Sequence, residues 1–163
     1  MSGKEQAFIE KLYECNQHKQ KLLVASKRLS KFIPLNLNQY EKLSEEDISF
    51  IDQLIYRFSK LQDTLGDKLF PSFLELIGEE ARSKPFIDRL NRIEELGLVN
   101  KNEWMELRKD RNEIAHEYSN NKEEIVIWIN IIYNDLTKLL NIYDVFYNYC
   151  INKFEFVSKS TVL

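Results

Sequence analysis

The sequence predicts an all-α protein folded as an up-and-down bundle of about five helices. Glycine and proline are scarce, with 4 and 3 among 163 residues, so turns are few and regular segments are long. Apolar residues recur at alternating steps of three and four along most of the chain, and no segment follows the period of two that marks a strand. The length suits one domain that spans residues 1–163.

The first predicted helix runs from about Lys4 to Ile33 and ends at Pro34. Lys19 fills a gap in its apolar stripe, which otherwise consists of Phe8, Leu12, Cys15, Leu22, Ser26, Leu29 and Ile33. Between Cys15 and Tyr40 every charged side chain is positive: Lys19, Lys21, Lys27, Arg28 and Lys31. These cations are candidate RNA-phosphate contacts, although we favour the simpler explanation that a helix dipole attracts cations to its C-terminal end.

The second predicted helix begins at Ser44, a typical N-cap residue, which three acidic residues follow. Its apolar stripe of isoleucine, leucine and phenylalanine continues as far as Gly78. Gly66 and Pro71 are expected to bend or divide this helix, because proline lacks a backbone donor and clashes with the preceding turn.

Three further helices complete the predicted bundle. The third begins at the segment 83–85, which ends in proline, and stops at Gly97. Asn100 is expected to cap the fourth helix, with Glu103 as its capping-box partner. The last helix starts near Lys122 and is the longest.

The last predicted helix is apolar over an unusually wide face. An unbroken stripe runs from Ile125 to Phe146, and Ile127, Trp128 and Ile131 lie off that stripe. A helix this wide in its apolar face is buried on two sides. It either runs through the centre of the bundle or also lines a dimer interface, and we weight these interpretations equally. Residues 154–163 are expected to form a mobile tail.

Charge and cysteine content limit the classes of function. The net charge of -3 and the pI of about 5.6 argue against a surface built for nonspecific nucleic-acid binding, but leave a local basic cleft possible. Two cysteines near opposite ends of the chain form no metal-type pair, so we expect free thiols in a reducing compartment. No signal peptide is expected, and the apolar run Ile125–Tyr133 is too short to span a bilayer. We therefore expect a cytoplasmic protein without membrane contact.

The stretch from Arg108 to Tyr118 reads RKDRNEIAHEY and suits phosphate-ester chemistry without a metal. The guanidinium of Arg111 matches phosphate oxygens, and His116 can move a proton near neutral pH. Asn112 can orient the substrate or the imidazole. In RNA the adjacent 2′-hydroxyl serves as the nucleophile. The chain lacks paired metal-ligand motifs and glycine-rich phosphate loops, so neither a metal nor a cofactor is predicted.

Helical geometry sets a condition on this motif. On an ideal helix Asn112 and His116 share one face, Arg111 and Tyr118 share another, and Arg111 and His116 share none. The groups meet only if the helix frays near His116 or the arginine reaches round. Cleavage of RNA also needs both a base and an acid, whereas His18 lies far off in the first helix. A two-fold dimer would supply two histidines and two arginines to one cleft.

The full string R-N-x-x-x-H-x-Y resembles the R-x-x-x-x-H-x-Y signature of the HEPN superfamily, in its HepT-like toxin branch. Neighbouring segments resemble the same branch in order and spacing, and the resemblance covers about Ile48 to Tyr147. These segments are Arg57-Phe58, residues 64–70, residues 96–98 and residues 104–108. An arginine five residues before a histidine is common by chance on a solvated helix, whereas the ordered set is far more restrictive.

The resemblance implies a dimeric all-α bundle, HEPN-like in fold, that acts as a metal-independent endoribonuclease and as the toxin of a toxin–antitoxin pair. Arg111 and His116 would be catalytic, with Asn112 as the polar residue beside them. The implied partner is a minimal nucleotidyltransferase antitoxin, which in similar systems adenylylates the tyrosine that corresponds to Tyr118. A nucleotide there would add bulk and negative charge. Tyr118 could instead be an ordinary half-buried tyrosine.

Two other functions remain open at this point. Related helical proteins act as noncatalytic substrate-binding companions of nucleotidyltransferases, and the same residues would then bind a nucleotide or a partner. A purely structural helical adaptor is the third interpretation, in which the motif forms polar pairs at the surface.

Overall fold

The chain is helical along most of its length in the computed structural model, which describes residues 1–117 and 121–163, with the backbone alone for 115–117. No strand occurs among these residues, so the prediction of an all-α protein is confirmed. The helices are α1 (Gly3–Leu29), α2 (Leu37–Glu41), α3 (Glu45–Asp63), α4 (Phe70–Leu76), α5 (Phe86–Glu95), α6 (Lys101–Glu117), α7 (Lys122–Lys153) and α8 (Glu155–Ser158).

The first helix buries a slightly different stripe from the predicted one. Ser2 caps α1 through a capping box with Glu5, and the helix ends in the 3-10 turn Ser30–Phe32. The gap in the stripe is filled by His18, which is buried, whereas Lys19 is half-buried and forms an ion pair. The stripe follows the helical period of 3.6 residues, which brings His18 rather than Lys19 onto the inner face.

The second predicted helix is one continuous helical run rather than two separated pieces. The hydroxyl of Ser44 accepts a hydrogen bond from the backbone N–H of Asp47, which confirms the predicted N-cap. A π-helical segment, Thr64–Leu69, joins α3 to α4. Pro71 follows it as the second residue of α4 and supplies no backbone N–H to the preceding turn.

Local signals position the next three helix ends as predicted. Gly97 has a positive φ of 77°, which suits a residue that ends a helix. The side-chain oxygen of Asn100 accepts from the backbone N–H of Glu103 at 3.0 Å. Asn121 caps α7 by accepting from the N–H groups of Glu123 and Glu124. The start of α6 and the start of α7 are thereby fixed by local hydrogen bonds.

The helix α7 is the central element of the bundle and packs against α6, α3, α2 and α1. Its inner face includes Ile129, Leu139 and Phe146, which are fully buried. Ile127 lies on the opposite side, where its side chain is 56% exposed. Among the described helices α7 alone is long and apolar enough to cross a bilayer, and 44% of its most apolar window is buried within the protein. A core helix has the same character.

The C-terminal segment, which we expected to be mobile, has a packed position. Phe154 and Phe156 lie edge-on against Phe8, with ring centroids 6.0 and 6.3 Å from it. Val157 in α8 is buried. The aromatic side chains of this segment give it an apolar surface to bury, which composition near a terminus did not indicate.

Candidate functional site

The guanidinium of Arg111 is held by Asp63, which is the last residue of α3. Nη1 of Arg111 lies 2.8 Å from Oδ1 of Asp63, and Nη2 donates to Oδ2 at 2.9 Å. This two-point contact fixes the plane of the guanidinium as well as its position. The pair is accessible to solvent, since the side chain of Arg111 is 24% exposed and that of Asp63 is 37% exposed.

A small polar crevice surrounds this ion pair. Its volume is about 10 Å³, which is room for about one water molecule. It is lined by Gln62, Asp63, Asp67, Trp104, Arg108 and Arg111. The indole N–H of Trp104 and the amide oxygen of Gln62 are buried here without a hydrogen-bond partner among the described residues. A ligand at this crevice therefore finds oriented donors and acceptors, but little enclosed space in a single chain.

The motif residues do not converge within the described part of one chain. Arg111 faces α3, whereas Asn112 is exposed. The backbone stays helical as far as Glu117, so the fraying that would bring Arg111 and His116 together is not seen up to that residue. An ideal helix places residues 111 and 116 roughly 140° apart around its axis. The side chain of His116 and all of Tyr118 lie outside the described residues.

A pair of carboxyl groups lies on the other flank of α6. Asp135 on α7 is 6% exposed, and one of its oxygens, Oδ2, is buried without a hydrogen-bond partner among the described residues. Burial, followed by a hydrogen bond and the charge of Asp110, raises the pKa of Asp135 to about 7. Glu106 acts in the same direction and Lys138 opposes them. Asp135 can therefore keep a proton between α6 and α7 near neutral pH.

The second histidine is occupied elsewhere in the fold. Nδ1 of His18 lies 3.0 Å from Nη1 of Arg57 on α3, and Nε2 lies 3.7 Å from a carboxylate oxygen of Glu14. A guanidinium only donates hydrogen bonds, so Nδ1 is the acceptor and Nε2 carries the proton. Burial, followed by the charge of Arg57, lowers the pKa of His18. His18 does not line the Arg111 crevice and joins α1 to α3 as a neutral ring.

The positive residues of the first helix are partly committed to internal contacts. Lys19 pairs with Asp144 at 2.6 Å, and Arg28 pairs with Asp47 at 3.0 Å. The ammonium of Lys31 lies over the ring of Phe32, and Lys21 and Lys27 are exposed. None of the five lines the Arg111 crevice. Their role as RNA contacts stays a prediction, and the ion pairs give two of them a structural role.

Neither a metal site nor a reactive thiol is found in the described part of the chain. No three His, Cys, Asp or Glu side chains described by the structure lie close enough together to hold a metal ion. Cys15 and Cys150 are free and buried. Burial raises the pKa of both thiols, to about 12 for Cys150, so both are protonated at neutral pH.

Sequence reasoning missed three of these contacts. Asp63 precedes the segment that resembles the HEPN branch, but nothing local marks it as the partner of Arg111. Asp135 could have been identified from the sequence as a buried polar residue, because it is an acid inside the apolar stripe of the last helix. Arg57 was noted only as part of a motif segment. Comparisons of the chain with known protein families, with curated proteins and with solved structures find no match.

Proposed function

We propose that the protein is a metal-independent endoribonuclease of the HEPN type and the toxin of a toxin–antitoxin pair. The observation that carries this proposal is the string R-N-x-x-x-H-x-Y at residues 111–118. The arginine of that string is held in a defined orientation by Asp63 and remains partly exposed. An oriented, accessible guanidinium is what stabilisation of a phosphorane requires.

The chemistry follows from the roles of these side chains. The 2′-oxygen of a ribose attacks the adjacent phosphorus and loses its proton to a base, for which His116 is the candidate. The bond from phosphorus to the 5′-oxygen breaks, and that oxygen takes up a proton. The products are a 2′,3′-cyclic phosphate and a free 5′-hydroxyl. Arg111 stabilises the negative charge that builds on the nonbridging oxygens, using N–H groups that Asp63 leaves free.

A second copy of the chain is part of this proposal. The crevice at Arg111 measures about 10 Å³, which is too small for a nucleotide within one chain. Ile127 and Trp128 present an exposed and a half-exposed apolar side chain close to the start of α7, six and seven residues after Asn121. An apolar patch at this place fits a two-fold contact that brings two motifs together. The homodimer would supply both an acid and a base.

The regulatory partner is proposed on the resemblance alone. A minimal nucleotidyltransferase antitoxin would transfer an adenylyl group to Tyr118, and the added phosphate would repel RNA. Both proteins are expected to act in the cytoplasm without membrane contact. Mass spectrometry after coexpression with the cognate antitoxin tests this part, since one added adenylyl group is expected on the peptide that contains Tyr118.

Incubation of the pure protein with end-labelled RNA in excess chelator tests the ribonuclease proposal. Fragments with cyclic-phosphate ends are expected, together with their loss in Arg111→Ala and His116→Ala. Lys109→Ala is the matched control, because Lys109 is an exposed cation on the same helix. If Arg111→Ala and His116→Ala cleave as fast as the parent chain, the catalytic assignment is wrong.

One observation favours a second function. The charge of Arg111 is already balanced by Asp63, which suits a residue that holds a nucleotide or a partner without chemistry. In that case the protein is a noncatalytic companion subunit of a nucleotidyltransferase. It would bind RNA or nucleotide in the same assay and leave the RNA intact.

A further inference from the structure

A second cleft lies beside the Arg111 crevice and carries most of the local positive charge. It is formed by α1, the π-helical segment, α4 and the residues around α5, and its volume is about 340 Å³. Four of its lining residues are cations and one is an acid: Lys11, Lys68, Arg82, Arg89 and Asp67. In a chain of net charge -3 this is a local concentration of positive charge. The volume matches that of small-ligand sites.

The cations of this cleft differ in how firmly they are held. Nη1 of Arg89 donates to the backbone oxygens of Ala81 and Lys84, while its Nε is buried without a partner among the described residues. Arg82 pairs with Glu75, and the side chain of Arg82 is 76% exposed. The guanidinium of Arg82 is open to solvent and has more donors than one carboxylate occupies, so a phosphate can reach it. Arg89 is thus a fixed donor and Arg82 an accessible one.

Two lysines complete the cleft from opposite elements. Lys11 on α1 hydrogen-bonds to Glu14 at 2.9 Å, and Lys68 on the π-helical segment is exposed. Burial acts to raise the pKa of Glu14, but the hydrogen bond from Lys11 and the charges of Lys11 and Lys68 lower it overall. The carboxylate of Glu14 is thus paired with Lys11, and Lys68 lines the same cleft from another element. Both ammonium groups add to the positive charge that the cleft offers to an anion.

The cleft and the crevice share one lining residue. Asp67 lines both of them and is followed directly by Lys68. Both residues lie in Thr64–Leu69, and π-helical turns of this kind are frequent at functional sites. Asp67 lies four residues after Asp63, the partner of Arg111, so the cleft and the crevice adjoin. A strand that passes Arg111 can therefore continue into the cleft.

We propose that this cleft binds the phosphate groups of a single-stranded RNA that flank the linkage at Arg111. The identity of the strand rests on the proposed ribonuclease function, whereas the cation geometry does not. Lys68 and Arg82 contact phosphate oxygens, and Arg89 donates from the floor of the cleft. Asp67 accepts a hydrogen bond from a ribose hydroxyl between two phosphates, since a carboxylate can only accept. The cleft thereby selects RNA over DNA.

Fluorescence anisotropy with a labelled 12-nucleotide single-stranded RNA tests this proposal. The full chain carries His116→Ala in every sample, so that the RNA stays intact. Lys68→Glu and Arg82→Glu are each expected to weaken binding by tenfold or more. Each should also lower the dependence of log affinity on log salt by about 0.7 for each RNA phosphate that the variant no longer neutralises. Arg89 is left unchanged, because its donors hold the backbone near Ala81.

Lys42→Glu is the matched control. Lys42 is an exposed lysine at the end of α2, which packs against α7 rather than against the cleft. Its affinity should stay within twofold of the parent chain, and circular dichroism should show the same helix content in all variants. Equal affinities for Lys68→Glu, Arg82→Glu and Lys42→Glu would overturn the proposal, as would an absence of RNA binding by the parent chain.

The outcomes separate this proposal from the ribonuclease proposal. If RNA binding depends on Lys68 but a chain with intact His116 leaves the RNA uncut, the cleft proposal is supported and the ribonuclease proposal is wrong. If cleavage depends on Arg111 but the affinity for RNA is unchanged by substitution of Lys68 or Arg82, the ribonuclease proposal is supported and the cleft proposal is wrong. Calorimetry with ADP tests the nature of the ligand. If the chain binds ADP in a Lys68-dependent manner but does not bind the RNA, the assignment of RNA as the ligand is wrong.

Discussion

Arg111 and Asp63 are joined at two points although 48 residues separate them in the chain. One carboxylate oxygen lies 2.8 Å from Nη1 and the other accepts from Nη2 at 2.9 Å. This geometry ties the end of α3 to the middle of α6, next to the π-helical segment. The catalytic arginine of the proposed ribonuclease is thus oriented by an acid from another helix, and it lines the crevice.

Removal of Asp63 should therefore impair cleavage more than folding. In Asp63→Ala the guanidinium loses its fixed plane, and we expect cleavage to slow by about tenfold to 100-fold, as misplaced catalytic groups do. The free energy of unfolding should fall by no more than about 1 kcal/mol, because the pair is partly exposed. RNA cleavage rates and urea unfolding measure the two effects. Asp88→Ala, at an exposed acid on α5, is the control, and an unchanged rate in Asp63→Ala would remove the positioning role.

The carboxyl pair between α6 and α7 predicts how stability depends on pH. Because the pKa of Asp135 is raised from 3.8 to about 7, the folded chain keeps a proton that the unfolded chain has lost. The contribution of Asp135 to the free energy of unfolding is most favourable below about pH 4 and is lost as pH rises to about 7. Each pKa unit corresponds to about 1.4 kcal/mol. At pH 8 the free energy of unfolding of Asp135→Asn should therefore exceed that of the parent chain by ~2 kcal/mol or more. At pH 4 the two values should be nearly equal. Urea unfolding measures both.

Asp88→Asn serves as the control for that titration, since it removes an exposed carboxylate from α5. Its pH profile should follow that of the parent chain. If Asp135→Asn gave the same gain in stability at pH 4 and pH 8, the effect would come from packing and the raised pKa of Asp135 would be refuted.

Several helix ends of this fold could be predicted from the sequence, because the residues that form each end are close together in the chain. Ser44 and Asn100, both predicted as caps, accept hydrogen bonds from N–H groups three residues away, so a short window of sequence contains both partners. The site partners are not local: Arg57 and His18 are 39 residues apart. Many acids could have paired with Arg111, and packing of α3 on α6 selects one. Gly66 and Pro71 indicate a local irregularity in the second helix, but not that it is π-helical, and Trp104, which lies against Gly66, comes from a distant part of the chain.

The π-helical segment predicts a large effect for a small substitution. A Cβ atom on Gly66 would lie 2.6 Å from Cζ2 of Trp104, whose side chain is buried. Gly66→Ala must displace the indole or the helix, and overpacking of this kind costs about 1–3 kcal/mol. Gly3→Ala is the control, because a Cβ there meets nothing within 4 Å. Urea midpoints measure both, and equal midpoints would mean that Trp104 moves aside freely.

The exposed apolar face of α7 predicts the state of assembly. The side chain of Ile127 is 56% exposed, and Trp128 beside it is half-buried. If this face pairs two chains, Ile127→Glu places two unpaired charges in the contact and should shift a dimer to monomers in sedimentation. Cleavage should be lost with the dimer, because one chain offers one motif histidine. Val24→Glu is the control, since Val24 is 58% exposed on α1. A parent chain that stays monomeric at high micromolar concentration would remove the shared cleft, and so would Ile127→Glu dimers that still form and cleave.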